Sequence, residues 1–204
     1  MLNFGVIPST DGSEFIYEIL DNSGMPKSYS YKNILPIVIN QGEDPICVPC
    51  SVSTWLNWKI NISKAKTSDN NFDLFDIYNN GGGGVNGNGM TCKGAFKYLI
   101  DNGIDYKDGH IKLSKYYKVN SGPALKHAIV ANGPCIGVLP VYNDYMEFWK
   151  NTGDFLGYHA ISIVGYDENG FIIRNSWGSG YGKKGYTYIK NEDLNKFAEI
   201  WTLC

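Results

Sequence analysis

An α+β fold is predicted from the order in which hydrophobic patterns occur along this chain of 204 residues. Apolar residues with helical spacing come first, and short apolar or alternating runs separated by glycine, asparagine and aspartate follow after Pro134. Helices that precede a cluster of strands are typical of α+β chains. The hydrophobic content of 43% and the charged content of 19% are ordinary for a globular domain, which excludes a disordered or coiled-coil chain.

Three helices are predicted, each from apolar residues three and four positions apart next to a start or stop signal. The first begins at Cys47, with Pro49 in its first turn, where proline is tolerated. The second ends before Gly103, and the third begins at Pro123 and ends near Gly133. Their apolar faces are formed by Val48, Val52, Trp55 and Leu56, by Ala95, Phe96, Leu99 and Ile100, and by Leu125, Ala128 and Ile129.

Five strands are predicted after the third helix, because short apolar or alternating runs are bounded there by turn residues. These runs are residues 135–142, 159–166, 171–175, 186–190 and 197–203. Residues 1–40 are predicted to be rich in loops, and residues 79–89 form a loop made mostly of glycine and asparagine. The chain has no internal repeat and no linker, so a single domain is expected.

The charge and the cysteines limit the partners and the compartment. The net charge is −2, and Lys183-Lys184 is the only basic pair, which argues against nucleic acid as a partner. No apolar run reaches the roughly 18 residues of a membrane helix, and the first residues do not resemble a signal peptide. Five cysteines, an odd number at irregular spacing, fit reduced thiols in the cytoplasm or another reducing compartment.

Cys47 is a candidate nucleophile because of its position at the start of the first predicted helix. The free N–H groups and the dipole of a helix N-terminus lower the pKa of a thiol and so favour the thiolate, which is the reactive form. A buried structural cysteine is the alternative, and position alone does not decide between the two.

His159 is the histidine best placed to act as a base, since it opens an apolar strand directly after a glycine and a tyrosine. His110 lies in a polar loop, and His127 lies in the middle of the third helix, where we expect it to face solvent. A turn at residues 167–170 is predicted to return Asn175 to the same end of the sheet as His159. The side-chain oxygen of Asn175 would then accept the imidazole N–H and fix its tautomer. A plain turn residue is the alternative for Asn175.

Gln41 lies six residues before Cys47 and ahead of a turn-prone stretch at residues 42–45. A side-chain amide held there would direct its N–H groups to the same place as the backbone N–H of Cys47. Two such donors form an oxyanion hole. A loop glutamine without a catalytic role is the alternative.

Together and in this order, these residues resemble the papain family of cysteine peptidases, whose triad is cysteine, histidine and asparagine. The resemblance covers residues 30–204, and residues 5–8 more distantly resemble the start of bacterial and phage-type members. His159 and Asn175 follow Cys47 by 112 and 128 residues, slightly less than the roughly 130–150 typical of the family. The matching motifs are Asn40-Gln41-Gly42, Cys47, His159-Ala160 and Asn175-Ser176-Trp177-Gly178-Ser179-Gly180-Tyr181-Gly182.

The resemblance implies a role for each catalytic residue. Cys47 would attack the substrate carbonyl, His159 would act as base and then as acid, and Asn175 would orient His159. Gln41 would hold the oxyanion together with the backbone N–H of Cys47, and Trp177 would shield the His159–Asn175 hydrogen bond from water. The implied substrate is a peptide or protein and the intermediate is a thioester. The resemblance implies no cofactor and no metal, and it does not indicate the oligomeric state.

The resemblance also implies a set of substrate-binding residues. The stretch from Asn88 through Gly89 to Met90 matches the one whose backbone pairs with an extended substrate, although Met90 replaces a second glycine. The pocket beside the cleft would have Met90, Val138 and Ala160 as its walls. Because all three are apolar, we expect it to accept Leu, Val, Ile or Phe and to reject Asp, Glu and Lys.

A two-lobed papain-like fold is implied for the whole chain. Residues 26–120 would form an N-terminal helical lobe and residues 121–204 a C-terminal lobe of antiparallel sheet or barrel, with the active-site cleft between them. Residues 1–25 would pack on this body as a strap. They are too few for the usual inhibitory propeptide, and Asp44 and the region of Gly87 lack the usual disulfide cysteines. Bacterial, phage and viral members share these features. We therefore expect a protein that is folded and active as synthesised, with all five thiols free.

Four other possibilities remain open from the sequence alone. Cys47-Val48-Pro49-Cys50 at a helix start also resembles a thioredoxin redox motif, but a thiol-disulfide oxidoreductase predicts βαβ alternation and leaves Gln41 and His159 unexplained. A zinc site is weaker still, because a single C-x-x-C lacks a second ligand pair. A papain-like body could also serve binding or assembly, or transfer an acyl group through the same thiol.

Overall fold

Four α-helices lie in the part of the chain that this computed structural model describes, residues 5–9, 15–19, 23–84 and 89–204. Helices α1 (Cys47–Lys64), α3 (Cys92–Asp101) and α4 (Gly122–Asn132) are the three predicted helices. Helix α2 (Leu74–Asn80) is not predicted by the sequence patterns because it has only seven residues. The carboxylate of Asp73 caps it by accepting hydrogen bonds from the N–H groups of Phe75 and Asp76.

Seven of the nine strands in the described residues form one sheet, in which all neighbouring strands are antiparallel. Its main order is β4 (Tyr116–Lys118), β9 (Glu199–Leu203), β5 (Cys135–Val141), β6 (Gly157–Tyr166), β7 (Gly170–Arg174) and β8 (Tyr186–Lys190). Strand β1 (Tyr29–Ser30) pairs with the C-terminal end of β6, and β2 (Ile104–Tyr106) forms a separate hairpin with β3 (Gly109–Ile111). The α+β class and the five predicted strands, β5 to β9, are confirmed.

Helix α1 connects the helical part of the molecule to the sheet. It packs against β6 as well as α2 and α3, and it is buried from Cys47 to Trp58. The hydrophobic core is continuous across this contact, with Trp55 on α1, Phe96 on α3 and Trp201 on β9 all buried. Strands β1 and β4 belong to this sheet although they precede residue 121, where the C-terminal lobe was expected to begin. Within the described ranges, no helix has both the length and the apolar character needed to cross a bilayer.

Arg174, the only arginine of the chain, is buried at the end of β7. Its guanidinium donates hydrogen bonds to the carbonyl oxygens of Pro36 at 2.9 Å and Ile37 at 3.0 Å, and to the hydroxyl of Tyr186 at 2.9 Å. These bonds fix the strand that leads into Asn175 against the loop that leads into residue 41.

Candidate active site

Cys47 is the first residue of α1, and its side chain is fully buried. The backbone of Ala160 on β6 lies close enough to the sulfur to affect its ionisation, which places the thiol beside the strand that carries His159. The helix N-terminus predicts a lowered pKa for this thiol. In the structure, burial raises the pKa of Cys47 and outweighs the backbone groups of Ala160, Gly5 and Val48, which lower it. The predicted low pKa is therefore wrong for this covered state.

His159 and Asn175 are joined by a hydrogen bond of 2.7 Å between Nε2 and Oδ1. Oδ1 of Asn175 also accepts the backbone N–H of Ser176 at 2.7 Å, which fixes the orientation of the amide. Because Oδ1 is an acceptor, Nε2 carries the proton and Nδ1 of the neutral ring holds the free electron pair. Burial lowers the pKa of His159 to about 4, although the bond to Asn175 acts in the opposite direction.

Aromatic side chains enclose the imidazole of His159. The indole of Trp177 stacks on it with ring centroids 4.8 Å apart and planes 25° apart. Phe148 meets the same imidazole edge to face at 5.7 Å, and Tyr181 meets Trp177 in the same way at 4.8 Å. This packing explains why the imidazole of His159 is fully buried.

Gln41 is held beside Asn175 by pairing between two loop segments. Its backbone N–H donates to the carbonyl oxygen of Ser176 at 2.8 Å, and its side-chain Oε1 accepts the hydroxyl of Ser176 at 2.5 Å. The side-chain Nε2 donates to the carbonyl oxygen of Asp44 at 2.9 Å, which closes the turn before α1. Gly42 has a φ of 60° in this turn, a left-handed conformation that favours glycine. The structure thus places Cys47, His159, Asn175 and Gln41 around one site.

Two of the three predicted pocket walls, Val138 and Ala160, lie on one face of the sheet, and an acidic residue joins them. Val138 on β5 is paired with Ala160 on β6 and with Glu199 on β9, and directly paired residues project to the same face. The carboxylate of Glu199 is buried and accepts the indole N–H of Trp201 at 2.8 Å. The sequence patterns do not single out Glu199, although an acidic residue inside an apolar strand is a usable signal.

Residues 5–9, called here the cleft segment, lie along Gly89 and Met90. The N–H of Ile7 donates to the carbonyl oxygen of Met90 at 2.9 Å, and the N–H of Met90 donates to the carbonyl oxygen of Gly5 at 2.7 Å. Val6 is therefore bridged to Met90 in a parallel sense. The backbone predicted to pair with an extended substrate pairs here with the protein's own N-terminal residues. Asn88 and Gly87 lie outside the described residues.

The two other histidines lie away from this site. His110 belongs to β3, and its Nδ1 is 2.6 Å from Oδ1 of Asp105 at the protein surface. His127 on α4 does not simply face solvent as predicted, because its Nδ1 lies 2.9 Å from the hydroxyl of Tyr17. The ring of Tyr17 also packs against the imidazole of His127, with centroids 5.8 Å apart.

The five cysteines are free thiols. Cys50 lies on α1 one turn beyond Cys47 and is buried, which raises its pKa. The βαβ alternation that an oxidoreductase of the thioredoxin type predicts does not occur in the described ranges, where β4 to β9 form antiparallel pairs.

A cysteine at a helix N-terminus beside a histidine–asparagine pair on an antiparallel sheet defines the papain-like class. The profile described as "Papain family cysteine protease" matches residues 86–200, more than half of the chain, and the chain belongs to this family. The matched range includes His159, Asn175 and Trp177 and begins after Cys47.

Similar proteins support this assignment. A gut-specific cysteine proteinase of Caenorhabditis elegans is 34% identical over 113 residues, which cover 51% of this chain and 33% of the relative. Cathepsin B-like cysteine proteinase 1 of Haemonchus contortus is 35% identical over 83 residues, 36% of this chain and 24% of the relative. The matched stretches thus span a third or less of these relatives.

The fold of the whole chain is similar to that of solved cysteine proteases. Xylellain, a cysteine protease from Xylella fastidiosa, superposes with a TM-score of 0.82 at 19% identity, covering 99% of this chain and 96% of xylellain. Digestive procathepsin L 3 of the Tenebrio molitor larval midgut superposes with a TM-score of 0.75 at 21% identity, covering 99% and 76%. The two-lobed papain-like fold is confirmed by these superpositions.

Proposed function

We propose that this protein is a cysteine endopeptidase that hydrolyses peptide bonds through Cys47, His159 and Asn175. The observation that carries the proposal is the 2.7 Å bond from Nε2 of His159 to Asn175, because it leaves Nδ1 as the proton acceptor of the ring. The thiol of Cys47 lies beside the next residue of the same strand, Ala160. A base in this tautomer next to a thiol has the arrangement required for nucleophilic catalysis.

The chemistry follows from these positions. Nδ1 of His159 takes the proton of the Cys47 thiol as the sulfur bonds to the carbonyl carbon of the substrate. The imidazolium then donates that proton to the leaving amine, which breaks the C–N bond and leaves a thioester on Cys47. Water, deprotonated by the same imidazole, attacks the thioester carbonyl and releases the acid and the thiol.

Gln41 is assigned to the oxyanion formed in each of these two steps. Its amide carries two N–H bonds, and one of them is used by the carbonyl oxygen of Asp44. The second N–H and the backbone N–H of Cys47 are the two donors for the oxyanion. The bond from Ser176 to Oε1 holds the amide with its N–H groups on the required side. Donors fixed before the reaction stabilise the developing charge without reorganisation.

The substrate proposed is a peptide or protein with an apolar side chain in the pocket of Met90, Val138 and Ala160. These three side chains are fully buried, so they form an apolar surface once a substrate replaces what now covers them. Glu199 on the same face modifies the expected specificity, because its carboxylate repels Asp and Glu but offers an acceptor to Lys. The free thiols support a reducing compartment for this activity.

The test is hydrolysis of a mixed peptide library by the purified full chain and four variants. Cys47→Ala and His159→Ala should abolish hydrolysis, and Gln41→Ala should lower turnover by about 10²–10³. Asn175→Ala should lower it less than His159→Ala, because the imidazole can still reach the thiol. Cys50→Ala is the matched control, since it removes a buried sulfur from the same helix and should leave hydrolysis in place. Hydrolysis at the wild-type rate by Cys47→Ala would refute the proposal.

The same peptide library also distinguishes a peptidase from a binding protein and from an acyl transferase. A binding or assembly protein would retain peptides without cutting them, which mass spectrometry of the library distinguishes from hydrolysis. An acyl transferase would yield products extended by an added amine in preference to free acids.

A further inference from the structure

We propose that a groove beside strand β8 is a docking site for an extended acidic segment of a protein, which joins the sheet as an added strand. The groove, called here the edge groove, has a volume of about 570 Å³. It does not include the catalytic residues, so the inference does not depend on the activity of Cys47. Aromatic, apolar and basic side chains make up most of its lining, among them Lys32, Met146, Ile172, Lys183, Tyr186 and Tyr188.

The first support is the free edge of the sheet at β8, which pairs with β7 on one side only. Backbone groups along a strand point alternately to its two sides, and the carbonyl oxygen of Gly185 accepts the N–H of Asn175 on the β7 side at 3.0 Å. The N–H and C=O of Tyr188 and the N–H of Lys190 therefore point away from β7. In the described part of the chain, no hydrogen bond occupies these three groups. Such an edge is a template for an added strand, which gains main-chain hydrogen bonds.

The second support is the surface beside this edge, which can accept apolar side chains. Ile172 of β7 is paired with Tyr188 of β8, so both side chains project to the same face. Tyr186 lies two residues before Tyr188 and projects to that face as well. Met146, which also lines the groove, is 53% exposed. An added strand would therefore place every second side chain against an apolar and aromatic surface.

The third support is positive charge in the groove that has no counter-ion among the described residues. The ammonium of Lys32 lies over the ring of Tyr186, 4.6 Å from its centroid. Burial and the nearby ammonium of Lys183 lower the pKa of Lys32. Neither lysine forms an ion pair within the described ranges, whereas Lys190 lies 3.5 Å from a carboxylate oxygen of Glu192. Two like charges held side by side favour a ligand that carries carboxylates.

The fourth support is that the two carboxylates lining the groove are engaged by other partners and do not pair with these lysines. Asp167 accepts a short hydrogen bond from the hydroxyl of Tyr188, and it accepts two N–H groups of its own turn at 2.8 and 3.1 Å. The carboxylate of Glu147 is paired with the ammonium of Lys150 at 2.8 Å. The charge of the groove is therefore complementary to an acidic peptide and not to a basic one.

The experiment measures, by fluorescence anisotropy, the binding of a short labelled peptide in which glutamate and leucine alternate. The full chain carries Cys47→Ala throughout, so that hydrolysis by Cys47 does not consume the peptide. A second peptide, with glutamine in place of each glutamate, should bind about tenfold more weakly, because it loses the contacts with both lysines.

The charge contacts are tested by substitution of the two lysines. Lys32→Gln and Lys183→Gln should each weaken binding of the acidic peptide by about threefold, the effect of one exposed ion pair. Lys97→Gln is the matched control, because it removes the same charge from an exposed position on α3, and it should leave binding unchanged.

Two substitutions of Lys190 test the main-chain pairing. Its φ of −75° is compatible with proline, and its N–H points to the free edge. Lys190→Gln removes the charge alone, whereas Lys190→Pro also removes the N–H that an added strand would bind. Lys190→Pro should therefore bind the acidic peptide about fivefold more weakly than Lys190→Gln does. The thermal midpoint of each variant shows whether it is folded, and if Lys190→Pro is not, a peptide N-methylated at alternate residues takes its place.

The outcomes either support or overturn the docking site. Equal binding of the two peptides, or an equal loss in Lys97→Gln, would overturn it, and absence of binding would mean that the lysines only protect the edge. Equal binding by Lys190→Pro and Lys190→Gln, or by the N-methylated peptide, would overturn strand addition. A dimer in gel filtration that Lys190→Pro dissociates would replace the acidic segment with a second copy of the chain. None of these readouts requires hydrolysis, so failure of the proposed peptidase function would leave them unchanged.

Discussion

Acidification should destabilise the protein through His159, whose neutral imidazole is buried between Trp177 and Phe148. Burial lowers its pKa from 6.5 to about 4. Between these two values the unfolded chain binds a proton that the folded protein does not, so stability falls as the pH falls. Above pH 6.5 the neutral imidazole of His159 destabilises neither state, and the protein keeps its full stability. Below the folded pKa of about 4 the loss of stability is complete. A shift of this size corresponds to a loss of about 3 kcal/mol in the free energy of unfolding.

Urea unfolding of the wild type and of His159→Gln, at neutral pH and at about pH 4, measures this loss of unfolding free energy. Glutamine keeps an N–H that can bind Oδ1 of Asn175 but takes up no proton in this range. The wild type should lose about 3 kcal/mol more than the variant on acidification. Equal losses in the wild type and His159→Gln would refute the account of a buried neutral imidazole.

Three further outcomes are expected. Ser176→Ala removes the 2.5 Å bond that fixes the Gln41 amide, and it should lower kcat/KM by about fivefold while leaving the rate at which iodoacetamide labels Cys47 unchanged; an unchanged kcat/KM would show that the bond is not needed. Glu199→Gln should lower hydrolysis of peptides with Lys at the pocket position by about tenfold or more and leave those with Leu unaffected; equal effects on both would place Glu199 outside the pocket. Dithiothreitol should not move the thermal midpoint, because all five thiols are free; a drop of several degrees would reveal a disulfide.

The sequence predicts the elements whose signals are local. Helix α1 begins at the predicted Cys47, and β8 has the predicted bounds, because periodicity and turn residues surround both. Strands β1 and β4 have two and three residues and exist only through pairing with β6 and β9, so no local pattern indicates them. The short helix α2 depends on one capping carboxylate, from Asp73.

The residues of the candidate site also differ in whether a local sequence signal indicates them. Cys47, His159, Asn175 and Gln41 carry local signals, since each lies next to a helix start, a strand end or a turn. The role of Glu199 depends on pairing with Val138, and the cleft segment depends on bonds between Gly5 and Met90, residues far apart in the chain. The ionisation of Cys47 depends on what covers it. Such tertiary properties do not follow from the order of residues nearby.

Cleavage after Arg174 can be used to measure local opening of the folded protein. An arginine-specific protease has a single bond to cut in this chain, and Arg174 is only 4% exposed and held by three hydrogen bonds. Cutting would divide the chain into pieces of 174 and 30 residues, which an ordinary gel separates. Their rate of appearance would follow the detachment of β7 from the loop at residues 36–37, with no label and no mutation.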